Sequence, residues 1–184
     1  MKFISDSIIT GAEKDYLKAI GLRDNDNLKE AEKLFQKVRI IFKRYNHIEK
    51  YSECMNKLGI VYINMGKFQK ALHCFNTGLR IAEKYEQKKN KADIIGNIGL
   101  IKYYRGLYKE AMDLFQEELK IFKKLKDLTG MTIATGKIAN SYIEANDYDK
   151  AIHYFKVQEN LCEQTKDRQT LSYTFGGLAQ AYLR

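Results

Sequence analysis

Side chains that could carry out chemistry are few and widely spaced in this 184-residue sequence. Its histidines and cysteines are His47, His73, His153, Cys54, Cys74 and Cys162. None of them form the His-x3-His or Cys-x2-Cys pairs that bring metal ligands together. The sequence also contains no glycine-rich phosphate loop and no nucleophile elbow. It therefore predicts a protein that is not an enzyme, with no metal site and no cofactor.

One short acidic run resembles the start of a calcium-binding loop. Residues 24–27 read Asp-Asn-Asp-Asn. A calcium loop needs a glycine and a bidentate glutamate further on, where this sequence has Lys29 and Phe35. We interpret the run as a turn followed by a helix cap.

Amide and aromatic side chains offer a different kind of chemistry, the recognition of another chain. A carboxamide can both donate to and accept from a peptide bond, so a row of asparagines suits an extended backbone. Tyrosines could add amphipathic anchors beside such a row. The candidate residues are Asn56, Lys57, Asn97, Tyr103, Tyr104, Lys137, Asn140 and Gln180. They could equally form an ordinary solvated face. Which of the two holds depends on the helices that position these residues.

Those elements follow from a repeat that runs through the sequence. Four alanines stand 40 apart, and each is followed four residues later by a phenylalanine: Ala31, Ala71, Ala111 and Ala151, then Phe35, Phe75, Phe115 and Phe155. A fixed period of roughly 20 to 50 residues indicates stacked supersecondary units rather than a closed globular fold.

Each block contains two amphipathic helices. Apolar or small residues at positions i, i+3, i+4 and i+7 share one face of a first helix, which we call the seam, as in Met55, Leu58, Gly59 and Tyr62. Residues that tolerate a left-handed backbone then end the first helices, at Asp26, Gly66, Gly106 and Asn146. The second helices are predicted to begin near Leu28, Phe68, Tyr108 and Tyr148.

The order Leu-Gly-x-x-Tyr, then Gly-x-Phe/Tyr-x-x-Ala-x-x-x-Phe, resembles the tetratricopeptide repeat (TPR). One unbroken block matches it at Leu58, Gly59, Tyr62, Gly66, Phe68, Ala71 and Phe75. The long period is similar to that of the variant in Pins/LGN-type scaffolds, kinesin light chains and bacterial peptide-sensing regulators. The resemblance implies an all-α fold, a right-handed superhelical solenoid of stacked helix-turn-helix repeats.

The predicted organisation is an N-terminal segment, 1–10, followed by a TPR-like array, 11–184. The array comprises repeats at about 11–50, 51–90, 91–130 and 131–170 and a lone first helix at 171–184. On that last helix, Leu178, Ala179 and Tyr182 present the seam that earlier blocks cover. The sequence therefore predicts either a fragment of a longer array or self-association through this C-terminal helix.

In repeats of this family, the face of the first helices opposite the seam lines a concave groove, which implies that the candidate residues lie there. Gly96, Gly136 and Gly176 share one register of that face, although glycine costs roughly 1 kcal/mol relative to alanine within a helix. Either a ligand strand approaches the backbone at these glycines or successive helices pack tightly against them.

The clamp with which some TPR domains bind chaperone C-terminal carboxylates is mostly missing. Asn97 and Lys137 match its positions. Three other positions carry Asn56, Ile60 and Ile133 instead of Lys, Asn and Lys. Binding of chaperone tails is therefore not expected.

The formal charge of +9 favours an acidic partner only modestly. The Lys and Arg clusters lie near predicted helix C-termini, where cations interact favourably with the helix dipole, although an acidic ligand on that face is the alternative. The groove itself is close to neutral, whereas a channel for nucleic acid should be basic. Its charged residues are Glu53, Asp93, Glu144, Lys57 and Lys137. Nucleic acid is therefore a disfavoured partner.

The sequence lacks the roughly 18-residue apolar run of a membrane span and the apolar core of a secretion signal. We therefore expect a cytoplasmic protein with no membrane partner. The predicted function is a non-catalytic scaffold that binds an extended peptide segment of a partner protein in its concave groove. The alternatives are a regulatory sensor of a short signalling peptide, a self-assembling array, and a binder of nucleic acid or an acidic polymer through lysine-rich faces.

Overall fold

The computed structural model describes residues 2–184, with side chains from residue 6 onward. In this part of the chain nine helices follow one another without a strand, which confirms the predicted all-α repeat fold. They are α1 (Lys2–Asp24), α2 (Leu28–Arg44), α3 (Ile48–Asn64), α4 (Phe68–Lys84), α5 (Lys88–Tyr104), α6 (Tyr108–Leu125), α7 (Leu128–Glu144), α8 (Tyr148–Thr165) and α9 (Arg168–Tyr182). Over the same range, no helix is both long and apolar enough to cross a bilayer.

The helix boundaries follow the repeat closely. Helices α2, α4, α6 and α8 begin at the four predicted residues, Leu28, Phe68, Tyr108 and Tyr148. At the N-terminus, α1 begins at Lys2, so residues 2–10 of the predicted N-terminal segment are helical and continuous with the helix that follows.

Left-handed residues end the first eight helices at regular intervals along the chain. They are Asp26, Asn46, Gly66, Glu86, Gly106, Lys126, Asn146 and Lys166, with φ between 53° and 74°. After each one, the next backbone N–H donates to the carbonyl five residues earlier, as His47 does to Phe42 at 2.8 Å. This bond satisfies a carbonyl that the helix end would leave unpaired. The four turns predicted from sequence are confirmed, and four more join successive repeats.

Replacing Gly106 by alanine tests the strain in these turns. Its φ is +74° and no atom lies within 4 Å of an added Cβ, so the cost comes from the backbone alone. We expect the free energy of unfolding to fall by about 1–2 kcal/mol, measured by urea denaturation. Gly11→Ala is the matched control, because Gly11 is also open but lies within α1. That change should stabilise by roughly 0.5–1 kcal/mol. Equal effects at both sites would contradict the backbone explanation.

The helices pack into two compact units, unit 1 (Met1–Ile94) and unit 2 (Ile95–Arg184). In both, the repeated alanines and phenylalanines form the core, because all eight are 0–2% exposed. The register of small residues on the seam explains the close helix approach. A Cβ on Gly59 would overlap the ring of Phe75, and one on Gly99 would overlap Phe115. A second-helix phenylalanine therefore seats directly on the first-helix backbone in these two repeats.

Candidate functional site

Four of the eight predicted peptide-binding residues line one cleft in unit 2, which we call the aromatic cleft. Its volume is about 150 Å³, and its lining residues are Leu100, Tyr103, Tyr104, Phe115, Lys137 and Asn140. The first three come from the last turns of α5, Phe115 from α6, and the last two from α7. The repeat thus brings two tyrosines, a lysine and an amide to one place although they lie on different helices, well apart in the sequence.

Tyr103 is a fixed wall of the aromatic cleft. Its ring meets those of Tyr104 and Tyr108 edge-on, with centroids 5.8 and 5.5 Å apart. Its hydroxyl donates to Glu144 Oε1 at 3.4 Å. Burial, and then the Glu144 charge, raise the pKa of Tyr103 to about 12. The phenol is therefore neutral at physiological pH. Tyr104, by contrast, is 57% exposed and presents its ring at the surface.

Lys137 brings a charge that is already balanced. Its Nζ lies 2.8 and 3.1 Å from the two carboxylate oxygens of Glu118, which is 1% exposed. The ammonium also lies 5.6 Å from the centroid of the Phe115 ring. Since Glu118 neutralises Lys137 within the unit, the aromatic cleft offers little net charge to a ligand. Sequence reasoning missed Glu118, because a glutamate on an amphipathic helix gives by itself no sign of burial.

The glycines of the candidate face are explained by packing in two of three cases. A Cβ on Gly96 would overlap the Glu118 carboxylate, and one on Gly136 would overlap the Gln158 amide. Glu118 and Gln158 occupy equivalent positions of successive repeats, so the same pairing recurs. Gly176 has no atom within 4 Å of an added Cβ. In the sequence, the glycines at positions 96 and 136 were therefore the features that could have indicated a buried side chain opposite them.

Asn56 and Lys57 lie in unit 1 and line a separate cleft of about 430 Å³. Asn56 is 1% exposed, and its Nδ2 donates to Asn90 Oδ1 at 3.1 Å. Asn90 in turn donates to Ser52 Oγ at 2.7 Å, and that hydroxyl donates to the Gly78 carbonyl at 2.9 Å. This chain of hydrogen bonds links α3, α4 and α5. The Asn56 amide is therefore part of the protein's interior.

The remaining predicted residues are divided. Asn97 is 9% exposed and lies in neither cleft, and Gln180 is exposed on α9, also outside both. Asn140 is exposed at the aromatic cleft. Of the three asparagines predicted to form a row, the structure thus presents Asn140 to solvent and buries the other two.

The cysteines are held in their neutral form. Burial raises the pKa of Cys74 to about 11, against the opposing charge of Arg39, and raises that of Cys54 further. Thiols in this form are poor nucleophiles and poor metal ligands. Within the described residues, no three His, Cys, Asp or Glu side chains converge on a possible metal position. The side chains of the aromatic cleft can stack, make apolar contacts and form hydrogen bonds through one amide.

Solved structures with similar folds come from several kinds of protein. Aspartyl phosphate phosphatase F from Bacillus subtilis is 18% identical with a TM-score of 0.83, covering 90% of this chain and 44% of its own. A Rap protein complexed with competence and sporulation factor is 19% identical with a TM-score of 0.85, covering 95% and 52%. Kinesin light chain TPR-like repeats from Podospora anserina are 16% identical with a TM-score of 0.73, covering 95% and 86%. This chain thus spans about half the length of the first two proteins.

No curated protein sequence matches this chain. A family model described as Tetratricopeptide repeat, however, matches residues 12–84 and 51–124. Together these matches span more than half of the sequence. The chain therefore belongs to the tetratricopeptide repeat family.

Proposed function

We propose that this chain is a non-catalytic interaction module that binds an extended peptide segment of a partner protein at the aromatic cleft. The observation that carries the proposal is the meeting of exposed Tyr104 and exposed Asn140 at the rim of an aromatic and apolar cleft. An apolar side chain of the ligand would enter the cleft, between rings that give large contact area at low entropic cost. The Asn140 amide would pair with the ligand backbone.

The charge balance supports an internal segment rather than a chain end. A carboxylate terminus is usually held by cations, and the cation here, Lys137, is already paired with buried Glu118 at 2.8 Å. The nearby carboxylate of Glu144 accepts hydrogen bonds from the Tyr103 and Tyr108 hydroxyls. A ligand segment that places an uncharged side chain in the cleft avoids desolvating an extra charge.

A regulatory sensor of a short free peptide is the second candidate. It is favoured by the similar fold of the Rap protein that was solved with competence and sporulation factor. The two candidates differ in what the ligand needs. A sensor would bind the free peptide as tightly as the same segment within a protein, whereas a scaffold would gain from the partner's surrounding surface.

The test is a selection of peptides from a displayed random library, followed by fluorescence anisotropy with the selected peptide. We expect Tyr104→Ala/Asn140→Ala to raise Kd at least tenfold, or about 1.4 kcal/mol, because both side chains are exposed and their loss leaves the core intact. Tyr85→Ala/Asn76→Ala removes the same exposed residue types from unit 1 and serves as the control. It should leave Kd unchanged.

Two outcomes would overturn the proposal. One is equal weakening by both double variants, which would place the ligand elsewhere. The other is a Kd that rises steeply between about 50 and 500 mM salt, which would indicate binding of acidic groups by the lysine-rich faces. Binding at the aromatic cleft should depend only weakly on salt, since Lys137 is neutralised by Glu118.

A further inference from the structure

A second kind of cleft lies in unit 1 between α2 and α4, with α3 as its floor. We call it the Arg39 pocket. Its volume is about 320 Å³, and it is lined by Gln36, Arg39, Met55, Leu58, Tyr62, Gln69, Lys70, His73 and Cys74. It shares no residue with the aromatic cleft, so it is independent of the proposed peptide site.

The lining of the Arg39 pocket is positively charged and has an apolar floor. Arg39 and Lys70 bring two basic side chains to the wall, and no aspartate or glutamate lines the cleft. Lys70 holds its Nζ 5.6 Å from the centroid of the Tyr62 ring. The nearby carboxylate of Glu32 accepts from Tyr62 and Gln36, at 3.0 and 3.2 Å, and its charge is paired with Lys67 at 3.6 Å. Two cations thus face one cavity without a carboxylate in its wall.

Arg39 is the residue of this wall that has a buried donor without a partner. Its Nε is buried and makes no hydrogen bond. None of the ion pairs among the described residues involves Arg39. A planar oxyanion is the group that the fork of guanidinium donors fits best. The basic lining of the pocket and a guanidinium without an ion pair therefore favour the same kind of ligand.

We infer that the Arg39 pocket binds a carboxylate carried on a short apolar stem. The carboxylate would accept hydrogen bonds from Arg39 and Lys70. The stem would contact the small exposed parts of Met55 and Leu58 on the floor, which are 3% and 2% exposed. Inorganic anions lack such a stem and would make no such contact.

Unit 2 contains an equivalent cleft that provides an internal comparison. It has a volume of about 540 Å³, and its His153 and Thr135 are the counterparts, two repeats later, of His73 and Met55. Leu119 stands at the position equivalent to Arg39. The unit 2 cleft keeps lysines but lacks the guanidinium, so it should not bind the same ligand. Met131 in its wall can report on this directly.

The experiment is a titration of the protein, labelled with 13C at its methionine methyl groups, with hexanoate. We expect the Met55 signal to shift and saturate while the Met131 signal stays in place. Arg39→Gln should weaken the binding at least tenfold, and Lys70→Gln should weaken it to a smaller extent. Arg80→Gln removes an exposed cation from the same unit and should have no effect. Circular dichroism establishes that each variant is folded, and Lys70→Gln provides the test should Arg39→Gln unfold.

Further probes separate the sources of the ligand. A shift with acetyl-Leu-Glu-Leu-amide but not with its Gln version would support the proposal and assign the carboxylate to a side chain of a partner protein. Binding of hexanoate alone would support it and assign a free acid. An equal Met55 shift with hexanol or with inorganic phosphate would overturn the proposal, as would an equal shift of Met131 or unaltered binding by both Arg39→Gln and Lys70→Gln.

Discussion

We expect Phe75→Ala to lower the free energy of unfolding by about 3–5 kcal/mol, the upper range for truncation of a core side chain. Phe75 is 0% exposed, and its ring lies against the backbone of α3 at Gly59. The cavity left by the ring cannot be filled by that glycine. Urea denaturation followed by circular dichroism measures the change. Asn76→Ala, at the next and exposed position, should stay within about 0.5 kcal/mol of the parent.

A double-mutant cycle tests whether the effect of Phe75→Ala comes from its contact with Gly59 or only from the loss of a buried apolar side chain. Gly59→Ala alone should destabilise by about 1–3 kcal/mol, because its Cβ overlaps the Phe75 ring. In the Phe75→Ala background the overlap is gone and alanine is the better helix former. In that background, Gly59→Ala should lower the free energy of unfolding only slightly or even raise it. Additive effects of the two changes would show that the ring does not seat on Gly59.

The second large effect is expected from Glu118→Ala. Removing one member of a buried ion pair leaves the other charge without its partner, which typically costs about 3–5 kcal/mol. Here the value should fall at the lower end, because the Lys137 side chain is 15% exposed and can turn towards water. Chemical denaturation measures the loss. Glu117→Ala is the control, since the neighbouring glutamate is exposed.

The pair also predicts a rescue. Glu118→Gln combined with Lys137→Met removes both charges while keeping similar volumes, so stability should return to within about 1 kcal/mol of the parent. Gln158 already occupies the equivalent position in the next repeat, against Gly136. A double variant as unstable as Glu118→Ala would indicate that hydrogen bonding at this position, and not charge balance, holds α6 against α7.

The repeat made the helices and half of the turns predictable. Asp26, Gly66, Gly106 and Asn146 are types that tolerate a left-handed backbone, and all four adopt it. Glu86, Lys126 and Lys166 adopt the same conformation although nothing in their chemistry favours it. There the hydrogen-bond pattern at the helix end imposes the conformation. Only the even spacing of the turns along the chain could have indicated these three.

The candidate site was predictable in position but not in burial. Periodicity placed Tyr103, Tyr104, Lys137 and Asn140 on one side of their helices, and the structure brings them to one cleft. The same periodicity could not show that Asn56 is buried, because its burial depends on Asn90, 34 residues away. A polar residue becomes an interior one when a distant helix supplies its hydrogen-bond partner. Such partners are invisible to a local pattern.

The large and the small residue change places between repeats at two facing helix positions. This limits which helices of the chain could be exchanged for one another. Gly96 faces Glu118 and Gly136 faces Gln158, whereas the preceding repeat has Asn56 and Gly78 at these two positions. Grafting α6 in place of α4 would put the Glu118 side chain at Gly78, where even a Cβ would lie only 3.0 Å from Ile94 and 3.3 Å from the Ser52 carbonyl. Grafting α4 in place of α6 would set two glycines face to face and open a void. The backbone repeats with each helix, but a single helix cannot be exchanged alone. The unit that can be exchanged is the helical hairpin, because its two helices carry matching large and small residues.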